Sequence, residues 1–280
     1  MRSFVKWPGG KAQLLPELRQ RMPKSIGTYV EPFAGGAALF FDRQPQQALL
    51  NDANPKLMNL YIQVRDHKSE LVGRLASYET EYNTLTTISA KQDFYYQSRS
   101  IFNSRDFETN LTVQDAARFV FINKSCFNGL YRENKAGQFN AAFGWKSNII
   151  LYDEDNLTDC SSALQDALIM SGDFEDACRD LTAGDFVFFD PPYDSTFDAY
   201  QGIGFSKEDQ KRLCSLFHRL TKRGIYCMLS NSNTEFVTGL YSDYSIEKVT
   251  VKRVISRNGA GRKGEELIIT NYMSNIKTNQ

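Results

Sequence analysis

The stretch FVFFDPPYD, residues 186–194, contains the side chains of this chain best suited to chemistry. Its apolar run predicts a buried strand that ends at Asp190. The Asp190 carboxylate and the Pro191 carbonyl can both accept hydrogen bonds, and the two prolines hold them rigidly because proline fixes φ and has no N–H. Tyr193 adds an aromatic face for stacking. Although prolines also end many ordinary strands, this order predicts a receptacle for an amino group on an aromatic base.

A second candidate site is the segment YVEPFAGGAALFF, residues 29–41. A strand, a turn with Gly35 and Gly36, and a helix beginning near Gly36 would bring backbone amides close to a ligand, since glycine has no Cβ. The full dinucleotide fingerprint and the P-loop pattern are both absent, and a tight turn alone would explain the glycines. Asp52 ends the next strand, where a carboxylate can accept both hydroxyls of a ribose. Together these residues predict an adenosine-containing cofactor bound without a phosphate grip.

The motif WPGGK, residues 7–11, repeats the combination of glycines and a polar group. Its glycines would let the backbone turn beneath a ligand, and Lys11 could meet a carboxylate. Taken alone, the motif is more simply an N-terminal loop with a surface lysine.

Strand and helix patterns around these motifs predict an α/β fold with a mostly parallel sheet. The predicted strands are residues 28–33, 48–52, 185–190, 225–230 and 266–272. Residues 206–224 form an amphipathic pattern with Ser206 as N-cap and Gly224 as stop. Ligands of open α/β sheets bind beyond the carboxyl ends of the strands, which is where the acids at 52 and 190 fall.

The alternation of strands and helices stops between residues 54 and 155. Helical patterns cover residues 54–66, 68–82, 90–103 and 112–124, and a Gly/Asn-rich segment with hairpin signals follows at 126–145. The sequence therefore predicts a discontinuous catalytic domain, residues 1–54 and 156–280, interrupted by an inserted domain, residues 55–155.

Charge and composition narrow the function classes. Lys plus Arg equals Asp plus Glu at 33 each, so the net charge identifies no polyanionic partner. The distribution is uneven, because residues 1–30 and 248–263 each carry six basic groups. A basic face for a polyanion and ordinary solvated faces both explain this pattern.

The five cysteines form no C-x-x-C pair, which argues against a disulfide scaffold and against a structural zinc site. We expect them to be reduced, mostly buried thiols. The chain start has no signal-peptide pattern and no apolar segment approaches the ~20 residues of a membrane span. We therefore expect a cytoplasmic protein that has no membrane partner.

Several motifs carry a resemblance that runs along nearly the whole chain. In order, they are FVKWPGGK, EPFAGGAALFF, ND at 51–52, NKSCFNGLYREN with GQFNAAFG, GDF at 172–174, DPPY, LSNS at 229–232 and RNGAGRKGEELI. On this ordered set the chain resembles a Dam-type DNA adenine-N6 methyltransferase of the D12 class. The resemblance implies S-adenosylmethionine as cofactor and a Rossmann-like methyltransferase fold, with a seven-stranded, mostly parallel sheet and an inserted, mainly helical target-recognition domain carrying a β-hairpin.

The resemblance also implies roles for individual residues. Those around the target adenine are Asp190, Pro191, Pro192 and Tyr193. The residues expected to contact the cofactor are Trp7 and Lys11 at its methionine part, Phe33, Gly35 and Gly36 along the backbone of the cofactor, and Asp52 on its ribose. Asp173 and Phe174 are expected beside the cofactor adenine, and Asp190 completes the set. Relatives often have glycine where this chain has Ala37, and we expect the alanine to cost little because the position is predicted to be helical.

Target recognition is expected in the inserted domain, with double-stranded DNA as partner. Arginine can read guanine, an aliphatic side chain can contact the thymine methyl, and an apolar wedge can fill the gap left by a flipped base. The implied DNA contacts are Lys6, Phe127, Asn128, Leu130 and Arg132 at the bases, and Arg257, Asn258, Arg262 and Lys263 in the basic segment at the phosphates. The family set F-N-G-L-x-R accompanies the target GATC.

Two alternatives stay open from the residues. One is a methyltransferase for another exocyclic amine, such as RNA adenine or cytosine N4, although Asp190 rather than serine favours adenine. The other is a non-catalytic DNA-binding regulator, against which Asp52, Asp190 and Tyr193 argue. The enzyme would be an orphan or the modification half of a restriction system, in the latter case with a cognate endonuclease that does not associate stably.

Overall fold

The computed structural model describes residues 1–107, 111–193, 205–252 and 263–273. For residues 251, 252 and 263 it describes the backbone only. All structural statements below concern these residues.

Seven strands form one mixed sheet in the order β3-β2-β1-β4-β5-β7-β6. They are β1 (Tyr29–Glu31), β2 (Ala48–Asp52), β3 (Ala167–Ser171), β4 (Phe186–Phe189), β5 (Tyr226–Ser232), β6 (Ser245–Lys252) and β7 (Lys263–Thr270). The pairs β1–β2, β1–β4 and β4–β5 are parallel, whereas β7 runs antiparallel to both β5 and β6. The expected seven-stranded, mostly parallel α/β sheet is confirmed.

The strand order reverses between β1 and β4. These strands pair in parallel, with Tyr29 opposite Phe186 and Val30 opposite Val187, and every residue of both is buried. Their carboxyl ends therefore lie side by side, one leading into Phe33 and the other into Asp190. Open α/β sheets bind their ligands at such a switch point.

The sequence patterns did not reveal β3 and β6. Both are edge strands of the sheet. In β3 the run ALIMS has no alternation, and Leu168 is 56% exposed, so periodicity cannot separate it from the end of a helix. In β6 the apolar residues are mixed with Glu247 and Lys248, because the strand has a neighbour on one side only.

Nine α-helices lie within the described ranges. They are α1 (Leu15–Arg21), α2 (Ala38–Arg43), α3 (Pro55–Asp66), α4 (Lys68–Thr84), α5 (Ile88–Asn103), α6 (Val113–Ser125), α7 (Glu154–Leu164), α8 (Lys207–Lys222) and α9 (Glu235–Leu240). The four helices expected between residues 54 and 124 are present. The ends of α8 are also as predicted: Ser206 forms a capping box with Asp209, and Gly224 takes a φ of +76° just beyond the helix.

The chain divides into two compact units. The first comprises Met1–Gly10, Gly35–Ala37 and Asp52–Gly172, and the second comprises Lys11–Ala34, Ala38–Asn51 and Asp173–Gln280. In the first unit, aromatic side chains of α3 to α6 are fully buried, among them Tyr61, Tyr95 and Phe119. The core of the second unit is formed by strands β4, β5 and β7 and by the apolar face of α8. The assignment of residues 55–155 as a DNA-recognition domain stays a prediction.

The segment 126–145 folds back on itself as a loop without paired strands. Two isolated antiparallel bridges, Cys126 with Phe143 and Glu133 with Phe139, hold its arms. A turn at its tip is closed by Gly137, whose φ is +70° and whose N–H donates to Asn134 O at 3.0 Å. The predicted β-hairpin is therefore not formed, because two isolated bridges do not pair the arms into strands.

The turn between β1 and α2 differs from the expectation. Helix α2 begins at Ala38, and Gly35 and Ala37 have φ values of +48° and +44°. The expectation that Ala37 is helical is therefore wrong, since it occupies the left-handed region that favours glycine. Because that conformation brings Cβ too close to the following carbonyl oxygen, it costs an L-residue about 1–2 kcal/mol.

The five cysteines are all buried and free, in keeping with the expectation of buried thiols. Among the described residues, no cluster of three or more His, Cys, Asp and Glu side chains could hold a metal ion. The helices described here are all too short or too polar to cross a bilayer.

We predict that Ala37→Gly raises the free energy of unfolding by about 1 kcal/mol, because glycine adopts the left-handed backbone without strain. Ala34→Gly is the matched control. Ala34 is equally buried but has no positive φ, so the same loss of a methyl group should lower stability there. Urea unfolding of both variants checks this, and a similar loss of stability in the two would contradict it.

Candidate active site

The end of β4 presents the DPPY motif within the second unit. The four buried residues of β4 deliver Asp190 to the carboxyl end of the strand, followed by a buried Pro191 and an exposed Pro192. Lys11 Nζ lies 2.7 Å from Asp190 Oδ1, and it also lies 4.6 Å from the centroid of the Tyr193 ring. Lys11 is only 6% exposed, so its ammonium group lies buried between the Asp190 carboxylate and the Tyr193 ring.

Burial and charge set the protonation of Asp190. Burial raises the pKa of its carboxyl group to about 6, while the Lys11 ammonium group opposes that rise and the negative charge of Glu266 adds to it. Asp190 is therefore mostly ionised at neutral pH and available as a hydrogen-bond acceptor. The nearby Glu31 differs: burial raises its pKa to about 8, although the Tyr29 hydroxyl and the Phe40 N–H both donate to it.

Tyr193 is fixed at its hydroxyl end. The hydroxyl donates to Glu266 Oε2 at 2.6 Å and lies 2.9 Å from Ser230 Oγ. Burial, followed by the charges of Asp190 and Glu266, holds the pKa of the Tyr193 phenol far above its ordinary value, so it stays a donor. Ser230 and Glu266 could not be identified from the sequence, although they lie in the motifs LSNS and RNGAGRKGEELI, because nothing in the local sequence pairs β5 with an antiparallel β7.

A hydrophobic wall flanks the same sheet edge. The rings of Phe33 and Phe174 stack at 5.2 Å, and Phe205 meets Phe33 edge-on at 5.4 Å. The Arg212 guanidinium covers Phe174 at 4.9 Å and binds both carboxylate oxygens of Asp173 at 3.0–3.1 Å. The second unit thus brings together three residues that the sequence placed on a cofactor, namely Phe33, Asp173 and Phe174.

In the first unit, Asp52 supports the glycine turn. Its Oδ2 accepts from Gly35 N and its Oδ1 from Asn54 N, both at 3.0 Å. Burial raises the pKa of Asp52, and these two backbone donors oppose that rise. Since a carboxylate has about four acceptor positions, two remain for the hydroxyls of a sugar. Tyr61 fixes the other side of the turn by donating to Gly35 O at 2.9 Å.

Trp7 packs directly on this turn. A Cβ added at Gly35 would lie 2.8 Å from Trp7 Cδ1, so only glycine fits beneath the indole. The indole also stacks with the rings of Tyr131 and Phe119, at centroid distances of 4.8 Å and 6.3 Å. The sequence did not identify Tyr131, yet this ring joins the Trp7 segment to the loop that carries Arg132.

The first unit also gathers the residues expected to read DNA. Lys6 Nζ donates to Asn128 O at 2.5 Å, and the Lys6 side chain passes so close to Gly129 that a Cβ there would lie 2.9 Å from its Cδ. Asn128 takes a φ of +57°, and Phe127 is 57% exposed. Arg132 is exposed and donates from Nε to Asn140 Oδ1 at 2.7 Å.

Leu130 lies half-buried between these residues. The expected phosphate contacts Arg257, Asn258 and Arg262 lie outside the described residues. Lys263 begins β7, and only its backbone is described.

Comparison with known proteins identifies the family. A model of D12 class N6 adenine-specific DNA methyltransferases matches residues 7–255. The chain belongs to this family. It is similar to the Type II methyltransferases M1.LlaDCHI of Lactococcus lactis subsp. cremoris and M.MjaIII of Methanocaldococcus jannaschii, each 38% identical over 97% of this chain and over 96% and 99% of theirs. A DNA adenine methylase of Vibrio cholerae is 30% identical over 95% of both chains.

The protein is therefore an adenine-specific DNA methyltransferase, and the family uses S-adenosylmethionine as methyl donor. The residues present fit that cofactor. The first unit offers a glycine turn closed by Trp7 and a carboxylate with acceptor positions left for a ribose. The second unit offers the aromatic wall of Phe33 and Phe174.

We predict that Lys11→Met raises the pKa of Asp190 above its value of about 6, because the positive charge that favours the ionised carboxylate is lost. Carbon-13 NMR titration of the side-chain carboxyl groups checks this, with Asp190→Asn identifying the resonance. The exposed Lys24 provides the control Lys24→Met, which should leave the titration unchanged. A pKa that is unchanged or lower in Lys11→Met would contradict the role of the ion pair.

Proposed function

We propose that this methyltransferase acts on the N6 amino group of an adenine flipped out of double-stranded DNA, within the sequence GATC. The observation that supports this most is the geometry of Asp190. An ionised carboxylate stands at the end of a buried strand, next to a proline carbonyl and a tyrosine held by its hydroxyl group.

The reaction needs help at the amine, because the lone pair of adenine N6 is delocalised into the ring. When bound, S-adenosylmethionine supplies a methyl carbon made strongly electrophilic by the positive sulfur that carries it. Asp190 and the Pro191 carbonyl each accept a hydrogen bond from one N–H group of the amine, which increases the electron density on the nitrogen. They also stabilise the positive charge that develops there during transfer, which accelerates the reaction because these acceptors are already in place.

The surplus proton of the methylated nitrogen needs no separate base. The positively charged nitrogen is a strong acid that loses its proton readily, and the ionised Asp190 lies beside it in this proposal. The carboxylate accepts the proton and releases it to water. This role requires the ionised form, so activity should fall as the pH falls through about 6.

The target base must leave the DNA stack to reach Asp190. Flipping costs a few kcal/mol of stacking and pairing. Tyr193 offsets part of this cost by stacking with the adenine, and the exposed Phe127 ring fills the space left in the duplex.

Cofactor contacts are assigned residue by residue. In the first unit, Asp52 accepts from the ribose hydroxyls, Gly35 and Gly36 let the backbone approach, and Trp7 lies at the methionine part. In the second unit, Phe33 and Phe174 enclose the cofactor adenine, and Asp173 accepts from its amino group while Arg212 holds the carboxylate in place. Lys11 contributes near the methionine part through the same ammonium group that pairs with Asp190.

Base recognition is assigned to the loop of residues 127–132. Arg132 is exposed and oriented by Asn140, which suits bidentate reading of a guanine, and Leu130 meets the thymine methyl. Lys6, with Asn128 beside it, contacts the outer guanine. The basic segment 248–263 adds phosphate contacts that weaken as salt increases.

Two of the relatives bear the name Type II methyltransferase, which supports a modification role within a restriction system. In that case a cognate endonuclease would cut the same site in the cytoplasm without forming a stable complex with this chain.

Incubation of unmethylated plasmid DNA with the purified protein and S-adenosylmethionine, followed by sequencing of methylated adenines, tests the proposal. The expected result is N6-methyladenine at the adenine of every GATC. Methylation at a different sequence would remove the GATC assignment while leaving the reaction intact. Transfer to cytosine, or only to RNA, would overturn the proposal itself.

We predict that Asp190→Asn lowers methyl transfer at least about 1,000-fold, because the amide loses the charge and presents N–H groups to the amine. Cofactor binding should weaken only partly, since most of its contacts lie elsewhere. Single-turnover transfer and calorimetric cofactor binding separate the two effects. The exposed Asp180 gives the control Asp180→Asn, which should match wild type. Wild-type turnover by Asp190→Asn would refute the assigned role.

We predict that Arg132→Ala relaxes discrimination at one guanine of the site by about 1–3 kcal/mol. Transfer rates on duplexes with single substitutions at each position measure this. Lys135→Ala, an exposed change in the same loop, should preserve specificity. A uniform loss on all sequences in Arg132→Ala would make the residue a phosphate contact instead.

A further inference from the structure

The hydroxyl of Tyr193 is held by two side chains from the neighbouring strands of the sheet. Glu266 of β7 accepts from it at 2.6 Å and Ser230 of β5 lies 2.9 Å away. At the other end of the residue, the ring faces the Lys11 ammonium group, which is paired with Asp190. The ring therefore has a defined position beside the Asp190 carboxylate.

We propose that Glu266 is a positioning residue for methyl transfer, which holds the Tyr193 ring in the orientation that stacks the target base against Asp190. This inference rests on the proposed role of Asp190 and Tyr193, and it adds a residue that the motif at the end of β4 does not contain.

The location of Glu266 makes it a firm support. Its backbone is paired on both sides, opposite Ser232 of β5 and Val249 of β6. A residue in an interior strand has little freedom to move, so its carboxylate fixes the point to which the Tyr193 hydroxyl is attached. A partly buried phenol needs such a partner, because leaving it unpaired costs about 1–3 kcal/mol.

Glu266 also acts on Asp190 through its charge. The titratable groups that face Asp190 are Lys11, Glu31, Tyr193 and Glu266. Glu266 raises the pKa of Asp190, so a neutral replacement should lower it. A shift in the pKa of Asp190 would show that Glu266 acts at the site, because a residue that only stabilises the fold would leave that pKa unchanged.

Two substitutions at Glu266 test the proposal in the full-length enzyme. Glu266→Ala removes the acceptor, and we expect kcat to fall about 10- to 100-fold while the KM for the cofactor changes less than about twofold. Glu266→Gln keeps an acceptor oxygen and should recover most of the rate. Its acid limb in the pH profile of kcat should move to lower pH, because the charge that raises the pKa of Asp190 is gone.

The neighbouring Glu265 supplies the matched control. It is exposed on the same strand, where its side chain accepts a hydrogen bond from Asn233 at 2.8 Å. Glu265→Ala therefore removes a side chain of the same charge and length at a position that does not contact Tyr193. We expect it to retain wild-type kcat and pH profile. A fluorescent adenine analogue, 2-aminopurine, placed at the target position should report weaker stacking in Glu266→Ala only.

A double-mutant cycle with Tyr193→Phe completes the test. Phenylalanine keeps the ring but lacks the hydroxyl, so Glu266→Ala should cause little further loss of kcat in that background. Independent, multiplicative losses would overturn the proposal, as would equal kcat for Glu266→Ala and Glu265→Ala. If Glu266→Ala fails to fold, Tyr193→Phe decides: wild-type kcat and 2-aminopurine stacking in that variant overturn the proposal, and a loss of both supports it. An inactive wild-type enzyme would instead count against the proposed function.

Discussion

The ion pair between Lys11 and Asp190 is the interaction on which the proposed active site depends. Two opposite charges 2.7 Å apart lie in a mostly buried setting at the end of β4. Removing an isolated charge from water costs several kcal/mol, and a partner of opposite sign offsets that cost. The pair therefore does two things together: it keeps the carboxylate ionised near neutral pH, and it fixes Lys11 against the strand. A neutral residue at either position would lose both effects.

The structure stabilises the two carboxylates of the proposed site in different ways. Asp190 is balanced by an ammonium group, whereas Asp52 in the first unit is held by backbone N–H groups of Gly35 and Asn54. Backbone donors fix the shape of a turn without neutralising the charge. An ammonium group, in contrast, neutralises the charge of the carboxylate. The first arrangement suits a binding site for neutral hydroxyls, and the second suits a site where positive charge develops and disappears.

Much of this organisation could be predicted from sequence, because the decisive features are local. An apolar run ending in DPPY predicts a strand end with acceptors, and a serine cap with a glycine stop sets the ends of α8. Glu266 could not be found this way, since its contact with Tyr193 depends on the pairing of β7 with β5. Ala37 was misjudged for the opposite reason: its small side chain favours a helix locally, but the turn around Gly35 imposes a left-handed backbone.

A crystal structure of the protein bound to a GATC duplex and S-adenosylhomocysteine, the product that lacks the methyl group, tests the role of Asp190 most directly. We predict that the target adenine lies outside the helix, with its N6 about 3 Å from the Asp190 carboxylate and from the Pro191 carbonyl. An adenine that remains stacked in the duplex, or one whose N6 contacts neither acceptor, would contradict it.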